Sequence, residues 1–304
     1  MLEELRFCVR DESQGQRIDL FLAQKESEFS RSQISDFISR GFIQVDGIAR
    51  KASYKLKSGE SVTMTVPPLP PNTLIPEDIP ISVLYEDDDV LVLDKPAGMV
   101  VHPAAGHHSG TLVNALLKLI PDISGVGEQG RPGIVHRLDK DTSGVMMVAK
   151  NVQAHRYLSK QIKDREISKV YIALVKGNLA SDKGIITGNI ARDIHNRKRM
   201  SIVESGRISE TSYETMNKYR LHTLVKAFPK TGRTHQIRVH FSSIGHPIVG
   251  DSLYGGGYKG LSRHFLHSNR LGFRIPSTKE YIEIESKLAP DLNSFLGNLN
   301  LENV

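Results

Sequence analysis

One short stretch of the chain combines residue types that can do chemistry, namely Arg137 and Asp139 within the segment 136–144. An apolar run, 145–149, follows directly, so the pattern predicts a strand that begins at a charged corner. Most aspartates at such corners only accept hydrogen bonds from backbone N–H groups. A carboxylate beside an arginine, however, favours its ionised form. An ionised carboxylate can act as a nucleophile or as a general base.

A second carboxylate, Asp141, lies two residues further along this corner. In an extended chain Asp139 and Asp141 would point to the same side, like the acid and nucleophile pair of a glycosidase. The turn-forming residues 142–144 interrupt that extended frame. We therefore expect Asp141 to cap the turn and Asp139 to be the reactive carboxylate.

The segment 228–241 contains a turn followed by a predicted helix from Thr234 to about Ile244. Thr234 is a suitable N-cap residue. The free N–H groups at such a helix start, with Arg233 beside them, would form an anion site. Arg238 lies one turn further into the helix, where it either pairs with a buried carboxylate or is solvated; the residues alone leave both open.

Other classes of site find little support in the sequence. The glycine-rich segment 255–260 matches neither the phosphate-loop nor the dinucleotide-binding pattern. Several of the 12 histidines lie near the segments described above, but their spacing matches no metal-ligand pattern. These histidines are His102, His107, His108, His136, His235, His240 and His246. We expect most of them to make structural hydrogen bonds, and we expect neither a metal nor a cofactor.

The composition is typical of a globular protein with a polyanionic partner. A length of 304 residues, with 39% hydrophobic and 24% charged residues, predicts one large or two ordinary domains. The net charge of +6 favours a nucleic-acid partner where the cations cluster. The single cysteine, Cys8, excludes an intrachain disulfide, and no apolar run approaches the roughly 20 residues of a membrane helix. We therefore expect a cytoplasmic protein without membrane attachment.

Residues 17–57 form a basic unit with two predicted helices. Apolar spacing within residues 18–22 indicates the first helix. The second is expected to start at Ser30, with Gln33 as its capping partner, and to end at Gly41.

The end of this unit resembles a known RNA-binding domain. The segments 41–47, with its Asp-Gly hairpin turn, and 56–62 resemble the alpha-L domain first named in ribosomal small-subunit protein four. The likeness covers most of residues 15–66. It implies that a set of polar side chains faces RNA phosphates: Arg31, Gln33, Arg40, Lys51 and Lys55.

Residues 67–80 separate this unit from the rest of the chain. They hold six of the 14 prolines, which predicts a semi-stiff linker. We therefore expect an alpha-L RNA-binding domain over residues 1–66, a linker over 67–80 and a second domain over 81–304.

The second domain mixes predicted strands and helices. Strands are expected at 81–85, 90–94, 169–175, 210–220 and 221–228, and helices at 112–117 (capped by Thr111) and 154–166. A loop at 193–200 contains Arg197 and Arg199, which we interpret as phosphate contacts.

Three segments of this domain together resemble the RluA-type RNA pseudouridine synthases. They are 92–103, 136–144 and 231–240, the last extended by 245–255. The resemblance covers about residues 81–290. It implies an α+β fold, with a catalytic domain built on a mixed, mainly antiparallel sheet flanked by helices. It also implies cofactor-free isomerisation of uridine to pseudouridine in RNA.

The resemblance assigns roles to four residues of this chain. Asp139 matches the catalytic aspartate, and Arg238 matches the residue that pairs with it. Tyr171 matches the tyrosine that stacks on the target uracil, and Arg137 matches the arginine implicated in displacing the base. We expect the Asp139 carboxylate within ion-pair reach of Arg238, with the Tyr171 ring in the same pocket.

Within the family, an N-terminal alpha-L domain resembles the subgroup that acts on large-subunit ribosomal RNA. We therefore expect this RNA, free or in a precursor particle, as the partner. We expect the enzyme to be a monomer. A transfer-RNA synthase and a non-catalytic ribosome-assembly factor remain alternatives. The chain departs from the family at Ile275-Pro276 and at 286–289, where His-Pro and Ala-Pro-Leu-Pro are usual. Both departures lie outside the expected site.

Overall fold

The structure, a computed structural model, describes residues 4–25, 29, 31–66, 74–103, 107, 109–128, 130–196 and 198–301. The chain divides into two compact units, Met1–Thr73 and Leu74–Val304. Each unit has its own cluster of buried apolar side chains. Each is therefore stabilised by a hydrophobic core of its own.

The first unit packs two helices on a small antiparallel sheet with the strand order β1-β4-β2-β3. Its elements are β1 (Glu4–Cys8), a 3₁₀ turn (Asp11–Ser13), α1 (Ile18–Lys25), α2 (Arg31–Ser39), β2 (Ile43–Val45), β3 (Ile48–Ala49) and β4 (Ser61–Thr65). The predicted hairpin is confirmed, with Asp46 and Gly47 both at positive φ between β2 and β3. Ser30, the predicted cap of α2, lies outside the described residues.

The second unit is organised by a ten-stranded sheet in the described part of the chain. Its strands are β5 (Ser82–Glu86), β6 (Val90–Lys95), β9 (Ser143–Ala149), β10 (Ser168–Lys176), β11 (Lys183–Arg192), β12 (Met200–Ile202), β13 (Arg207–Lys218), β14 (His222–Pro229), β15 (Leu266–Arg274) and β16 (Tyr281–Glu285). A separate ribbon pairs β7 (Gly127–Glu128) with β8 (Arg131–Pro132).

The sheet runs in the order β12-β11-β13-β14-β10-β15-β9-β6-β5, and β16 adds to β15. Every pairing among these strands is antiparallel except that of β15 with β9, which is parallel. The expected mixed, mainly antiparallel sheet is therefore confirmed. All seven residues of β9 are buried, which explains why this strand is a continuous apolar run rather than an alternating one.

Four helices accompany this sheet: α3 (Leu112–Leu119), α4 (Val152–Asp164), α5 (Gln236–Ser243) and α6 (Pro290–Leu301), with a 3₁₀ turn at Pro121–Gly125. Thr111 caps α3 as predicted, in a reciprocal capping box with Asn114. The Asn114 side chain also donates to the Ile75 carbonyl at 2.9 Å, and the Leu74 side chain packs on the core. These contacts place the described part of the predicted linker, residues 74–80, in the second unit.

The parallel contact between β9 and β15 depends on Gly144. This residue has φ +114°, and a Cβ added to it would lie 2.1 Å from the Ser268 carbonyl oxygen. Only glycine allows the two backbones to approach this closely. The contact lies directly after the corner that carries Asp139, so it helps to position that corner.

Replacing Gly144 by alanine should lower the free energy of unfolding by roughly 2–4 kcal/mol, because it adds a backbone clash to an unfavourable φ. Gly245→Ala is the matched control, since Gly245 also has positive φ but has open space around it. The control should lose only about 1 kcal/mol. Urea unfolding followed by far-ultraviolet circular dichroism measures both. Equal losses would contradict the role given to the close contact.

Candidate active site

The corner that carries Asp139 is held through its backbone by a buried lysine. The Lys95 side chain is fully buried in β6 and donates to the carbonyls of Pro96, Met99 and Lys140 at 2.7, 3.0 and 3.0 Å. Three carbonyl acceptors match the three donors of an ammonium group. This role of Lys95 was not predicted, although the residue belongs to the first segment of the family resemblance.

Arg263 fixes the other side of the corner. Its guanidinium donates to the Asp141 carbonyl at 3.0 Å and to the Ser143 hydroxyl at 3.2 Å, and pairs with Asp291 at 2.7 Å. The turn itself is closed by the Thr142 N–H, which donates to the Asp139 carbonyl at 3.1 Å. The Asp141 carboxylate accepts no hydrogen bond from the described residues. The prediction that Asp141 caps the turn is therefore wrong, because backbone atoms close it instead.

At the centre of the site Arg238 is shared between two carboxylates. Its Nε and Nη2 bind the buried Asp251 at 2.6 and 3.0 Å, and its Nη1 donates to Asp139 Oδ2 at 3.0 Å. Within the described residues Asp139 Oδ1 accepts no hydrogen bond. The predicted ion pair between Asp139 and Arg238 is confirmed. Asp251 was missed, although it lies in the segment 245–255 of the family resemblance, because its pairing with Arg238 forms only in the folded chain.

The surroundings of Asp139 keep its carboxylate charged. Burial by itself favours the neutral acid, but the attraction of His235, Arg238 and His264 outweighs it and lowers the pKa of Asp139. Burial lowers the pKa of both histidines, that of His264 to about 4, so both are neutral at pH 7. At neutral pH, Arg238 is therefore the cation that keeps Asp139 ionised.

The ring of a tyrosine, Tyr254, packs against the guanidinium of Arg238. The Tyr254 ring lies 5.1 Å from the Arg238 guanidinium and 5.2 Å from that of Arg199. Its hydroxyl accepts from the Met200 N–H at 2.8 Å and lies 2.9 Å from His235 Nδ1. Tyr254 thus joins the 193–200 loop to the site.

Helix α5, which carries Arg238, starts later than predicted. His235 adopts a left-handed backbone with φ 56°, so Thr234 cannot be its N-cap, and the helix begins at Gln236. The Gln236 side chain accepts from the Arg233 N–H at 3.0 Å and from the Thr231 hydroxyl at 2.7 Å. The backbone N–H of Arg233 is therefore already used within the protein, which weakens the anion site expected at this end.

Asp139, Tyr171 and Arg238 line one cavity of about 220 Å³. This volume lies below the roughly 300–1,000 Å³ of drug-sized ligand sites and suits a single nucleobase. Tyr171 is 9% exposed, and burial raises the pKa of its phenol to about 12, so the hydroxyl keeps its proton. The expected pocket is confirmed as an arrangement, whereas the chemical roles of its residues stay predictions.

The predicted RNA contacts lie in different environments. Arg137 is exposed at the rim of the cavity. Arg233 is half-buried there, and its Nε donates to the Ile208 carbonyl at 3.3 Å. Arg199 stacks on Tyr254 instead of standing free in solvent, and Arg197 lies outside the described residues.

In the first unit, Lys51 and Lys55 are exposed. Arg40 packs over the Phe42 ring at 4.9 Å and lies 3.4 Å from Asp36. Arg31 and Gln33 belong to α2, but their side chains lie outside the described residues. The three described cations are accessible to a polyanion.

The histidines near the site act mainly as hydrogen-bond partners. His136 Nε2 accepts from the Met147 N–H at 3.0 Å, and His240 lies between the hydroxyls of Ser209 and Thr211 at 2.8 and 2.9 Å. Among the residues that the structure describes, no three His, Cys, Asp or Glu side chains cluster as metal ligands. None of the described helices is long and apolar enough to cross a bilayer.

Comparison with known proteins decides the family. Residues 89–243, which include Asp139, Tyr171 and Arg238, match the RNA pseudouridylate synthase family. The chain belongs to the RNA pseudouridine synthases. Residues 16–62 match the S4 domain, which confirms the alpha-L domain expected from the sequence. The chain is therefore an isomerase that acts on RNA.

Two relatives match nearly the whole chain. One is named "Uncharacterized RNA pseudouridine synthase YlyB" from Bacillus subtilis, with 42% identity over 98% of this chain and 99% of that protein. The other is named "Ribosomal large subunit pseudouridine synthase D" from Xanthomonas campestris, with 42% identity over 96% of this chain and 91% of that protein.

A solved structure supports the fold of this synthase. Human RNA Pseudouridylate Synthase Domain Containing 1 is 26% identical, with a TM-score of 0.57 over 74% of this chain and 96% of that one.

Replacing Asp251 by asparagine should lower the free energy of unfolding by about 3–5 kcal/mol, because it leaves a buried guanidinium without its bidentate partner. Asp291→Asn is the matched control, since Asp291 binds the equally buried Arg263 with nearly the same geometry, but its own side chain is 49% exposed, so that water can replace the lost carboxylate. The control should cost about 1 kcal/mol or less. Urea unfolding measures both, and equal losses would show that burial of the pair does not matter.

Proposed function

We propose that this synthase isomerises specific uridines in large-subunit ribosomal RNA, with Asp139 as its catalytic carboxylate. One observation supports the catalytic role of Asp139. Its carboxylate is ionised and binds Arg238 through one oxygen, while its other oxygen accepts no hydrogen bond from the described residues. The relative from Xanthomonas campestris, whose name specifies the ribosomal large subunit, supports the choice of RNA.

The reaction breaks the bond between N1 of uracil and the ribose, turns the base, and rejoins it through carbon five. Asp139 attacks the base, attacks the sugar, or removes a sugar proton; the three routes remain open, and each needs a charged carboxylate with a free oxygen. Arg238 supplies that condition by binding only Oδ2. No redox change occurs in this reaction, so none of these routes requires a redox cofactor.

The target base must leave its stack to reach a cavity of this size, at a cost of a few kcal/mol. Arg137, exposed at the cavity rim, is placed to fill the space that the base vacates. Tyr171, buried in the wall of the cavity, offers a ring on which the uracil stacks. We assign these two residues to displacing and holding the base.

The S4 domain supplies binding outside the cavity. We propose an RNA-binding domain over residues 1–66 and a catalytic domain over 81–304, joined by the segment 67–80, of which residues 74–80 pack on the catalytic domain. Arg40, Lys51 and Lys55 are accessible for contacts with phosphates, and we assign Arg31 and Gln33 to the same surface. Arg199 and Arg233 are assigned to RNA contacts near the cavity, and Arg197, from its sequence alone, is assigned to RNA binding as well. The proposed partner places the enzyme in the cytoplasm, where ribosomes assemble.

Purified protein should release tritium from large-subunit ribosomal RNA labelled at carbon five of uridine, because forming the new carbon–carbon bond expels that hydrogen. Transfer RNA labelled in the same way should release little. Asp139→Asn should bind the same RNA and release none. Release from transfer RNA alone would move the substrate to the alternative class, and binding without release by the wild-type protein would favour a non-catalytic assembly factor.

In Arg238→Gln, the single-turnover rate should begin to fall at a higher pH than in the wild-type protein when the solution is acidified; this acidic part of the pH profile is its acid limb. The Asp139 carboxylate is charged above its lowered pKa, and activity is lost as the pH falls through that pKa. Without the guanidinium, the lowering effect of Arg238 is lost and the pKa of Asp139 rises, so the loss begins at higher pH. The maximal rate should also fall by roughly 10²-fold or more.

Arg238→Lys separates charge from geometry in the same experiment. It keeps a cation near Asp139, so its acid limb should stay below that of Arg238→Gln even though the rate falls. Circular dichroism at each pH shows whether the variants remain folded. An identical acid limb in both variants would mean that the charge of Arg238 does not set the ionisation of Asp139.

A further inference from the structure

One cation in the wall of the cavity has no partner among the residues that the structure describes. Lys169, near the start of β10, is half-buried and lines the cavity beside Asp139 and Tyr171. Its ammonium makes no hydrogen bond or ion pair with the described residues. By contrast, the ammonium of Lys95 is satisfied by three carbonyls. A partly buried ammonium with unused donors is typical of a site that binds an anion.

The position of Lys169 relative to Tyr171 indicates which part of a nucleotide it meets. The two residues are two apart on β10, so they point to the same face, roughly 6.6 Å from each other along the strand. Tyr171 is buried deep in the wall, whereas Lys169 is more exposed and lies over the loop at Gly232. A Cβ on Gly232 would lie 3.9 Å from Lys169 Nζ. A base on Tyr171 therefore puts its sugar and phosphate on the Lys169 side.

Three arginines add to this positive charge: Arg233 lines the cavity, Arg165 ends the helix whose Ile162 lines it, and Arg207 precedes Ile208, whose carbonyl Arg233 contacts. Arg233 follows Gly232, Arg165 ends α4 with φ 64°, and Arg207 begins β13. Burial, followed by the charges of Arg207 and Arg165, lowers the pKa of Arg233, in keeping with this placement. None of these arginines, nor Lys169, is paired with a carboxylate within the described residues. Their mutual repulsion remains until an anion binds.

We propose that Lys169, Arg165, Arg207 and Arg233 form a phosphate subsite that holds the RNA backbone flanking the target uridine, with Lys169 as its innermost contact. This inference rests on the proposed function. A neutral uracil satisfies at most one of these cations, whereas a strand with one phosphate per nucleotide can meet several at once. The subsite binds the RNA backbone at the mouth of the cavity and so keeps the target base inside the cavity.

The test is the salt dependence of RNA binding by Lys169→Gln. The affinity for a large-subunit ribosomal RNA fragment is measured between about 50 and 200 mM salt. Losing one phosphate contact should reduce the slope of log Kd against log salt by about 0.7–0.9. Lys169→Arg should retain the wild-type slope, and Arg165→Gln should also reduce it. Lys183→Gln is the control, because Lys183 pairs with Glu214 at 2.7 Å, and its slope should not change.

Single-turnover tritium release at saturating enzyme gives the second measurement. In Lys169→Gln the enzyme concentration at half-maximal rate should rise several-fold, while the maximal rate stays within about threefold of wild type. An unchanged slope overturns the subsite, and an unchanged slope with a large loss of maximal rate would assign Lys169 to the base instead. Failure of the proposed function is distinguishable, because the wild-type protein itself would then release no tritium from ribosomal RNA.

Discussion

The site depends on the way in which one guanidinium is divided between two carboxylates. Asp251 takes Nε and Nη2 of Arg238, which fixes the plane of the fork and leaves Nη1 for a single oxygen of Asp139. Without Asp251, the same fork would be free to chelate both oxygens of Asp139, which would make that pair a structural salt bridge. If Asp139 is the catalytic carboxylate, as we propose, its free oxygen is therefore preserved by a neighbour that does not touch it.

The fold brings these groups together through its backbone. Asp139 precedes β9, Arg238 lies on α5 and Tyr171 lies on β10, which pairs with β15. The parallel contact of β15 with β9 completes the connection, and it requires the glycine at position 144. Lys95 and Arg263 bind carbonyls of the Asp139 corner rather than its carboxylate. They fix the position of Asp139 and occupy neither of the carboxylate oxygens that the proposed reaction needs.

The sequence predicted the parts of this arrangement that short patterns encode. The charged corner, the Thr111 cap and the hairpin at Asp46-Gly47 follow from local rules, and the pairing of Asp139 with Arg238 followed from the family resemblance. The roles of Lys95 and Asp251 were missed because they depend on contacts formed only in the folded chain. The predicted start of α5 was wrong because His235 adopts a left-handed conformation, which the helical spacing of the apolar residues does not reveal.

The distribution of charge explains how an anionic site accepts an anionic substrate. Asp139, Arg238 and Asp251 together carry a net charge of −1, so the centre of the cavity opposes the approach of RNA. Two like charges about 7 Å apart repel by roughly 2 kcal/mol at the effective dielectric constant of a protein surface. Cations already paired with carboxylates could not offset this repulsion. Arg137 and Lys169, which line the cavity without an ion-pair partner among the described residues, can offset it. In the proposed mechanism, the paired charges at the centre therefore serve the reaction, and the unpaired charges at the rim serve the binding of RNA.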